Sequence, residues 1–160
     1  MSSDKAKRSM GLTVRDLAAD DFAGWKPLWD GYNAFYGRKG ETALAPEITQ
    51  ATWKRFLDPA QPLGALVATL DDRIVGLAHY VIHASTSRLE PVCYLQDLFT
   101  VESECGRGIG RALIEVVYEK ARALGIRRVY WQTQAWNAAG RALYEKVAKH
   151  DGFIVYSRDL

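Results

Sequence analysis

Apolar residues recur along this chain in two rhythms, and each rhythm marks an element. Leu12 to Arg15 predicts a short strand. From Asp20 to Tyr36 the apolar positions Phe22, Trp25, Leu28, Trp29, Tyr32, Phe35 and Tyr36 fall at helical spacing and are mostly aromatic. Pro27 lies inside that stripe and predicts a kink or a restart, and Arg38 to Glu41 ends it. Pro46 to Leu57 predicts a second helix with Ile48, Trp53, Phe56 and Leu57 as its apolar positions. Gly64 to Leu70 and Arg73 to His83 read as strands joined by a two-residue hairpin at Asp71 and Asp72. After a loop from Ala84 to Pro91, Val92 to Val101 is dense in β-branched and aromatic residues and predicts a largely buried strand. Ile109, Leu113, Val116, Val117 and Leu124 then mark one face of a helix, with Gly125 placed to cap its C-terminus. Arg127 to Thr133 predicts another strand. Asn137 is an N-cap for a helix reaching about Lys149, with Leu143, Tyr144 and Val147 inward, and Phe153 to Tyr156 reads as a closing strand. The order is that of an α/β protein with a mixed sheet, antiparallel first and parallel later.

Composition narrows this picture without adding chemistry. A chain of 160 residues suits one domain able to bury a core unaided, and no repeat or low-complexity linker divides it. Met1 to Ser9 is polar and lacks the apolar stretch of a signal peptide, so residues 1–10 are expected to be a disordered tail on a domain spanning 11–160. Lys+Arg 21 against Asp+Glu 19 gives a formal net charge of +2, too small to draw a nucleic acid or an anionic membrane. The basic stretches Lys5 to Arg8 and Arg127–Arg128 accordingly read as solvated. No apolar run is long enough to span a membrane. Cys93 and Cys105 form neither a CxxC pair nor a metal cluster, which fits reduced thiols in a cytoplasmic protein. His79 and His83 share a strand face without a visible third ligand, so no metal is expected, and both read as core or cleft residues. Either imidazole also titrates in the range of a general base.

The chemistry begins at Cys105 to Arg111, the run CGRGIGR, directly after a buried strand and directly before a helix. Glycines there let backbone N–H groups approach an anion without an intervening Cβ, and the helix N-terminus adds its dipole. A pyrophosphate suits such a loop, with Arg107 and Arg111 adding charge. The even spacing of Gly106, Gly108 and Gly110 does not match the dinucleotide fingerprint, and no Gly-Lys-Ser/Thr ending makes it a P-loop. By itself the loop is equally an ordinary glycine-rich turn.

Taken with its flanks, the loop resembles motif A of the GNAT acetyltransferases: Tyr94 to Phe99 (YLQDLF), the GRGIG loop, then a helix. Trp131 to Thr133, Asn137, and Arg141 to Tyr144 (RALY) resemble the following motif B, so the likeness runs from about Gly64 to the C-terminus. It is closest to the small-amine and polyamine branch. The resemblance implies a single-domain fold with a mixed central sheet, splayed central strands and flanking helices. Acetyl-CoA would enter the gap between the strands Val92–Val101 and Arg127–Thr133. Its pyrophosphate would lie on Gly106, Arg107, Gly108, Ile109, Gly110 and Arg111, and its pantetheine along Leu98, Phe99, Thr100 and Val101, with Asn137 and Tyr144 nearby. Cys105 departs from the usual Arg or Gln at the loop's start, which predicts weaker cofactor affinity. Gly140 departs as a helix-interior glycine, costing ~1 kcal/mol.

Acetyl transfer to an amine asks for three groups. The amine, with a pKa near ~10.4, must lose a proton. The oxyanion needs a donor, and the resemblance implies the Leu98 N–H at a strand bulge. The departing thiolate takes a proton, and Tyr144 matches the family's tyrosine acid. For the proton relay Gln96 stands where the branch has an acid, which leaves Asp97. Asp30, Tyr32, Glu90 and Gln96 are candidates for holding a cationic acceptor, Tyr32 or Tyr36 by contact of a cation with the ring. The expected activity is direct acetyl transfer, without an acetyl-enzyme, to a primary amine of a small, polyamine-like molecule. A protein lysine or N-terminal acetyltransferase and a non-catalytic acyl-CoA-binding module are the alternatives. The same resemblance allows a homodimer, with Phe153 to Tyr156 joining a partner's sheet.

Overall fold

The near-continuous apolar runs at the centre of the chain form strands covered on both faces, which is why they lack alternation. The structure, a computed structural model, describes residues 11–160; the expected N-terminal tail lies outside them. Its elements in chain order are β1 (Leu12–Asp16), α1 (Phe22–Phe35), α2 (Pro46–Leu57), β2 (Leu63–Leu70), β3 (Arg73–His83), β4 (Val92–Thr100), α3 (Ile109–Ala123), β5 (Val129–Tyr130) and α4 (Ala138–Val147). The sheet runs β1-β2-β3-β4-β5, antiparallel through β4 and parallel between β4 and β5. This is the expected mixed α/β architecture.

The hairpin forms where the sequence puts it. Asp71 and Asp72 have φ of 47° and 62°, the left-handed pair that matches the twist of the flanking strands. One face of the sheet packs Leu66, Ala78, Cys93 and Leu95 against Ile109, Leu113, Ile114 and Val117 of α3. On the other face Leu77 meets Trp25, Leu28, Trp29 and Tyr32 of α1, so the aromatic stripe is half of a second core.

Three expectations are corrected. α1 does not restart at Pro27; helix continues through it, and the proline forgoes a single backbone bond near the helix start. β5 is limited to Val129–Tyr130, not Arg127 to Thr133, because its pairing with β4 ends at Tyr94↔Tyr130. Beyond that point Leu95 to Thr100 has no neighbour on this side, and the splayed gap opens there. Finally, Phe153 to Tyr156 is not a strand within this chain and packs on nothing: Phe153 is 81% and Tyr156 87% exposed. Its run of β-branched and aromatic residues suits a ladder, and no edge of its own sheet takes it up.

Candidate active site

The floor of the gap is set by one extra residue in β4. Register against β3 shifts between His79↔Asp97 and Tyr80↔Leu95, so Gln96 is unpaired and forms a β-bulge. The bulge therefore lies at Gln96, and Leu98 is already back in register opposite Ala78. Its consequence is a change of face. Cys93 and Leu95 point to the α3 core, whereas Asp97 meets His79 on the α1 side. Without the bulge, simple alternation would have put Asp97 beneath α3.

Asp97 is 8% exposed and is held by a short polar chain. The indole Nε1–H of Trp25 donates to His79 Nε2 at 3.0 Å, which leaves the imidazole proton on Nδ1. That Nδ1–H donates to Asp97 Oδ2 at 2.9 Å. Trp29 and Phe56 flank the imidazole with ring centroids 5.4 and 4.4 Å away. The hydroxyl of Tyr32 donates to the bulge carbonyl of Gln96 at 3.4 Å. Burial, then the neighbouring Asp97 carboxylate, holds the Tyr32 phenol well above its ordinary value. A carboxylate with one oxygen tied to a fixed imidazole and an aromatic roof is suited to hold an ammonium.

At the other end of the gap the glycine loop presents bare backbone. Gly106 and Gly108 have φ of +81° and +78°, and no protein atom lies within 4 Å of where a Cβ on either would stand. Gly108 is the N-cap of α3 without a side chain to occupy the helix end. The first-turn amides from Ile109 to Arg111 therefore have no intrahelical carbonyl and remain available to an anion. This donor-lined cradle fits a pyrophosphate. Arg107 is not a free cation: its guanidinium donates to buried Glu104 at 2.7 Å, and Arg73 reaches the same carboxylate at 2.8 Å. That pair of contacts pins the loop to β3. Arg111 lies 3.9 Å from Glu115 at the surface, and the Cys105 thiol lies 3.5 Å from the Val101 carbonyl.

The third wall comes from α4. Asn137 caps it, its Oδ1 accepting from Gly140 N at 3.2 Å and its Nδ2 donating to Thr133 at 2.9 Å. This uses both ends of the amide, and it explains Gly140, where a Cβ would collide with that amide. Tyr144 packs edge-on to Trp131 at 5.5 Å, and burial, with Tyr36 adding to it, pushes its phenol up to about 12. It is thus fully protonated at neutral pH. Tyr36 faces Tyr32 at 5.2 Å and Trp136 at 6.3 Å, closing the wall between α1 and α4.

The remaining sequence candidates do not converge. Asp30 is turned into an exposed pair with Lys26 at 2.6 Å, and Glu90 lies 3.4 Å from Arg88 on the loop before β4. A backbone contact of its own, then Arg88, keeps the Glu90 carboxyl below its usual range. The side chain of Gln96 is exposed; its backbone carbonyl is what reaches Tyr32. His83 donates to the Ala84 carbonyl and accepts from Tyr130, and no cluster of metal-ligating side chains exists among the described residues. Sequence reasoning missed the Trp25–His79–Asp97 chain and Arg38. The first depends on a bulge that alternation does not announce, and Arg38 sits in a segment that looked only like a helix breaker.

Residues 25–148 match the family described as Acetyltransferase (GNAT) family. The chain is 33% identical over 163 residues to the D-amino-acid N-acetyltransferase HPA3 of Saccharomyces cerevisiae, covering 99% of both. It is 24% identical over 147 residues to the N-acetyltransferase YhfO of Bacillus subtilis, covering 91% of this chain and 95% of that one. Among solved structures, an aminoglycoside acetyltransferase from an uncultured soil metagenomic sample superposes with a TM-score of 0.76 at 20% identity, covering 93% of this chain and 97% of that one. These comparisons carry the family and the fold, and not the polyamine branch. On the family match and the full-length likeness, joined to a splayed sheet with an anion cradle at its mouth, the chain belongs to the GNAT acetyltransferase family and is an N-acetyltransferase with acetyl-CoA as cofactor.

Proposed function

We propose that the enzyme acetylates a primary amine of a small molecule by direct attack, with Asp97 taking the amine's proton and Tyr144 supplying one to the leaving sulfur. The observation that supports this reading is the bulge at Gln96, which turns a buried carboxylate to the α1 side of the sheet, just past the point where β4 and β5 part. Acetyl-CoA, when bound, supplies the acetyl group as a thioester. Gly106 to Arg111 would hold its pyrophosphate, and the backbone of Leu98 to Val101 that does not pair with β3 would line its arm. The Leu98 N–H donates to the acyl oxygen as charge gathers there. Asp97 holds the ammonium first as an ion pair and then accepts its proton, while His79 keeps one carboxylate oxygen fixed. Tyr144, kept protonated by burial, has a proton at its hydroxyl to give. The name of the yeast relative supports a small acceptor, amino acids included.

Following free thiol with an amine panel tests the assignment. Tyr144→Phe is expected to lower kcat about 10²- to 10⁴-fold with CoA binding retained, and Asp97→Asn to do the same at the deprotonation step. A Tyr144→Phe enzyme as fast as the parent would remove the phenol from the mechanism. We also propose that the enzyme works in the cytoplasm as a homodimer: both cysteines are free thiols, and the apolar segment Phe153 to Tyr156 is left for a second copy.

A further inference from the structure

Arginines among the described residues commonly stand against a carboxylate, as Arg15 does on Asp21 and Arg73 on Glu104. Those without one, Arg55, Arg122, Arg127 and Arg158, are exposed; Arg38 alone is half-buried with no acidic partner. It is nonetheless held in place. Its Nε donates to Asn33 Oδ1 at 2.6 Å, and Asn33, 4% exposed, is itself fixed by donating to the Trp29 carbonyl at 2.8 Å. The guanidinium carbon lies 5.8 Å from the Tyr32 ring centre and 6.0 Å from that of Tyr36. One nitrogen is thus used for orientation, and the two terminal nitrogens keep the fork that matches a carboxylate.

Tyr32 joins this cation to the reaction site. Its ring carries Arg38, while its hydroxyl reaches the Gln96 carbonyl beside Asp97. A negative group and a positive group therefore flank one tyrosine. A molecule with an ammonium and a carboxylate matches that order. A polyamine does not, because it brings a second ammonium to Arg38, and the acids that would have welcomed it, Asp30 and Glu90, are paired elsewhere.

We infer that Arg38 is a carboxylate anchor and that the acceptor is an amino acid, bound by its carboxylate at Arg38 with its amine at Asp97. This rests on the transferase reading above. The test compares both enantiomers of several amino acids with the amines left when their carboxylates are removed. Wild type, Arg38→Leu and Arg38→Lys are assayed by thiol release, and the same ligands are titrated calorimetrically into each protein saturated with CoA. Wild type is expected to favour the amino acid. Arg38→Leu is expected to raise its KM and weaken its binding about 10- to 100-fold, the range for losing a charged hydrogen-bonded pair, and to leave the decarboxylated amine nearly unchanged. Arg38→Lys, with the charge but not the fork, falls between them. A wild type that prefers the decarboxylated amines overturns the inference alone, as does an Arg38→Leu effect equal for both series, which marks a structural role. Absence of transfer to every amine despite CoA binding overturns the transferase reading and the inference with it.

Discussion

Cys93 and Cys105 show one residue type taking two characters from its surroundings. Cys93 lies in the α3 core, where burial pushes its thiol up to about 11. Cys105 is exposed at the head of the glycine loop. Since the thiolate is the reactive form, iodoacetamide at pH 8 is expected to modify Cys105 and to spare Cys93 until the protein unfolds. Saturating CoA is expected to slow the labelling, as Cys105 borders the cradle. Intact mass measurement gives the count, and a second adduct on folded protein would refute the burial argument. Residue types of this kind were legible in the sequence, and so was the candidacy of Tyr144 and Asp97. What each touches was not: the tie between His79 and Asp97 joins separate strands and hinges on a bulge.

Helix α4 is a case where an element's own preference and its cap disagree. Gly140 stands in the first turn of α4, three residues after the Asn137 cap and not in the helix interior, and glycine there is still a poorer helix former than alanine, so propensity alone says Gly140→Ala stabilises. Its position over the Asn137 amide says otherwise, because the new Cβ displaces a cap worth about 1 kcal/mol and adds a clash. We expect Gly140→Ala to lower Tm by a few degrees. Combined with Asn137→Ala, the same change is expected to be neutral or stabilising, a non-additivity that thermal unfolding of the four proteins measures. A higher Tm for Gly140→Ala alone would show that the cap contributes nothing. At this scale the sequence read well: β3, α2, the Asp71–Asp72 hairpin and the Asn137 cap all lie where patterning put them. It read poorly where an element depends on a neighbour, as at β5, which ends where β4 diverges.

For the whole molecule the sheet's outer edge is the feature with the largest consequence. β5 closes the sheet with two residues, and Phe153 to Tyr156 hangs beyond α4 with its apolar side chains in solvent. An unpaired edge and a detached apolar strand former can complement each other between copies, which is the basis of the proposed dimer. Removing residues 153–160 is expected to leave a folded monomer with Tm little changed, since the segment touches no core, while abolishing the dimer that sedimentation would find for the full chain. A full-length protein that sediments as a monomer would sink the dimer proposal.

By itself the sequence determined most of the elements and their order, the glycine loop at the head of α3 and the family likeness, because these follow from local periodicity, glycine chemistry and spacing along the chain. Only the tertiary structure decided which charges face one another. It set Asp97 against His79 on the α1 side of the sheet, turned Asp30 to Lys26 and Glu90 to Arg88, gave Arg107 to Glu104, and left Arg38 over Tyr32 without a carboxylate. The physical reason is that a charge's partner is fixed by strand register and helix packing, and one bulged residue at Gln96 changes both.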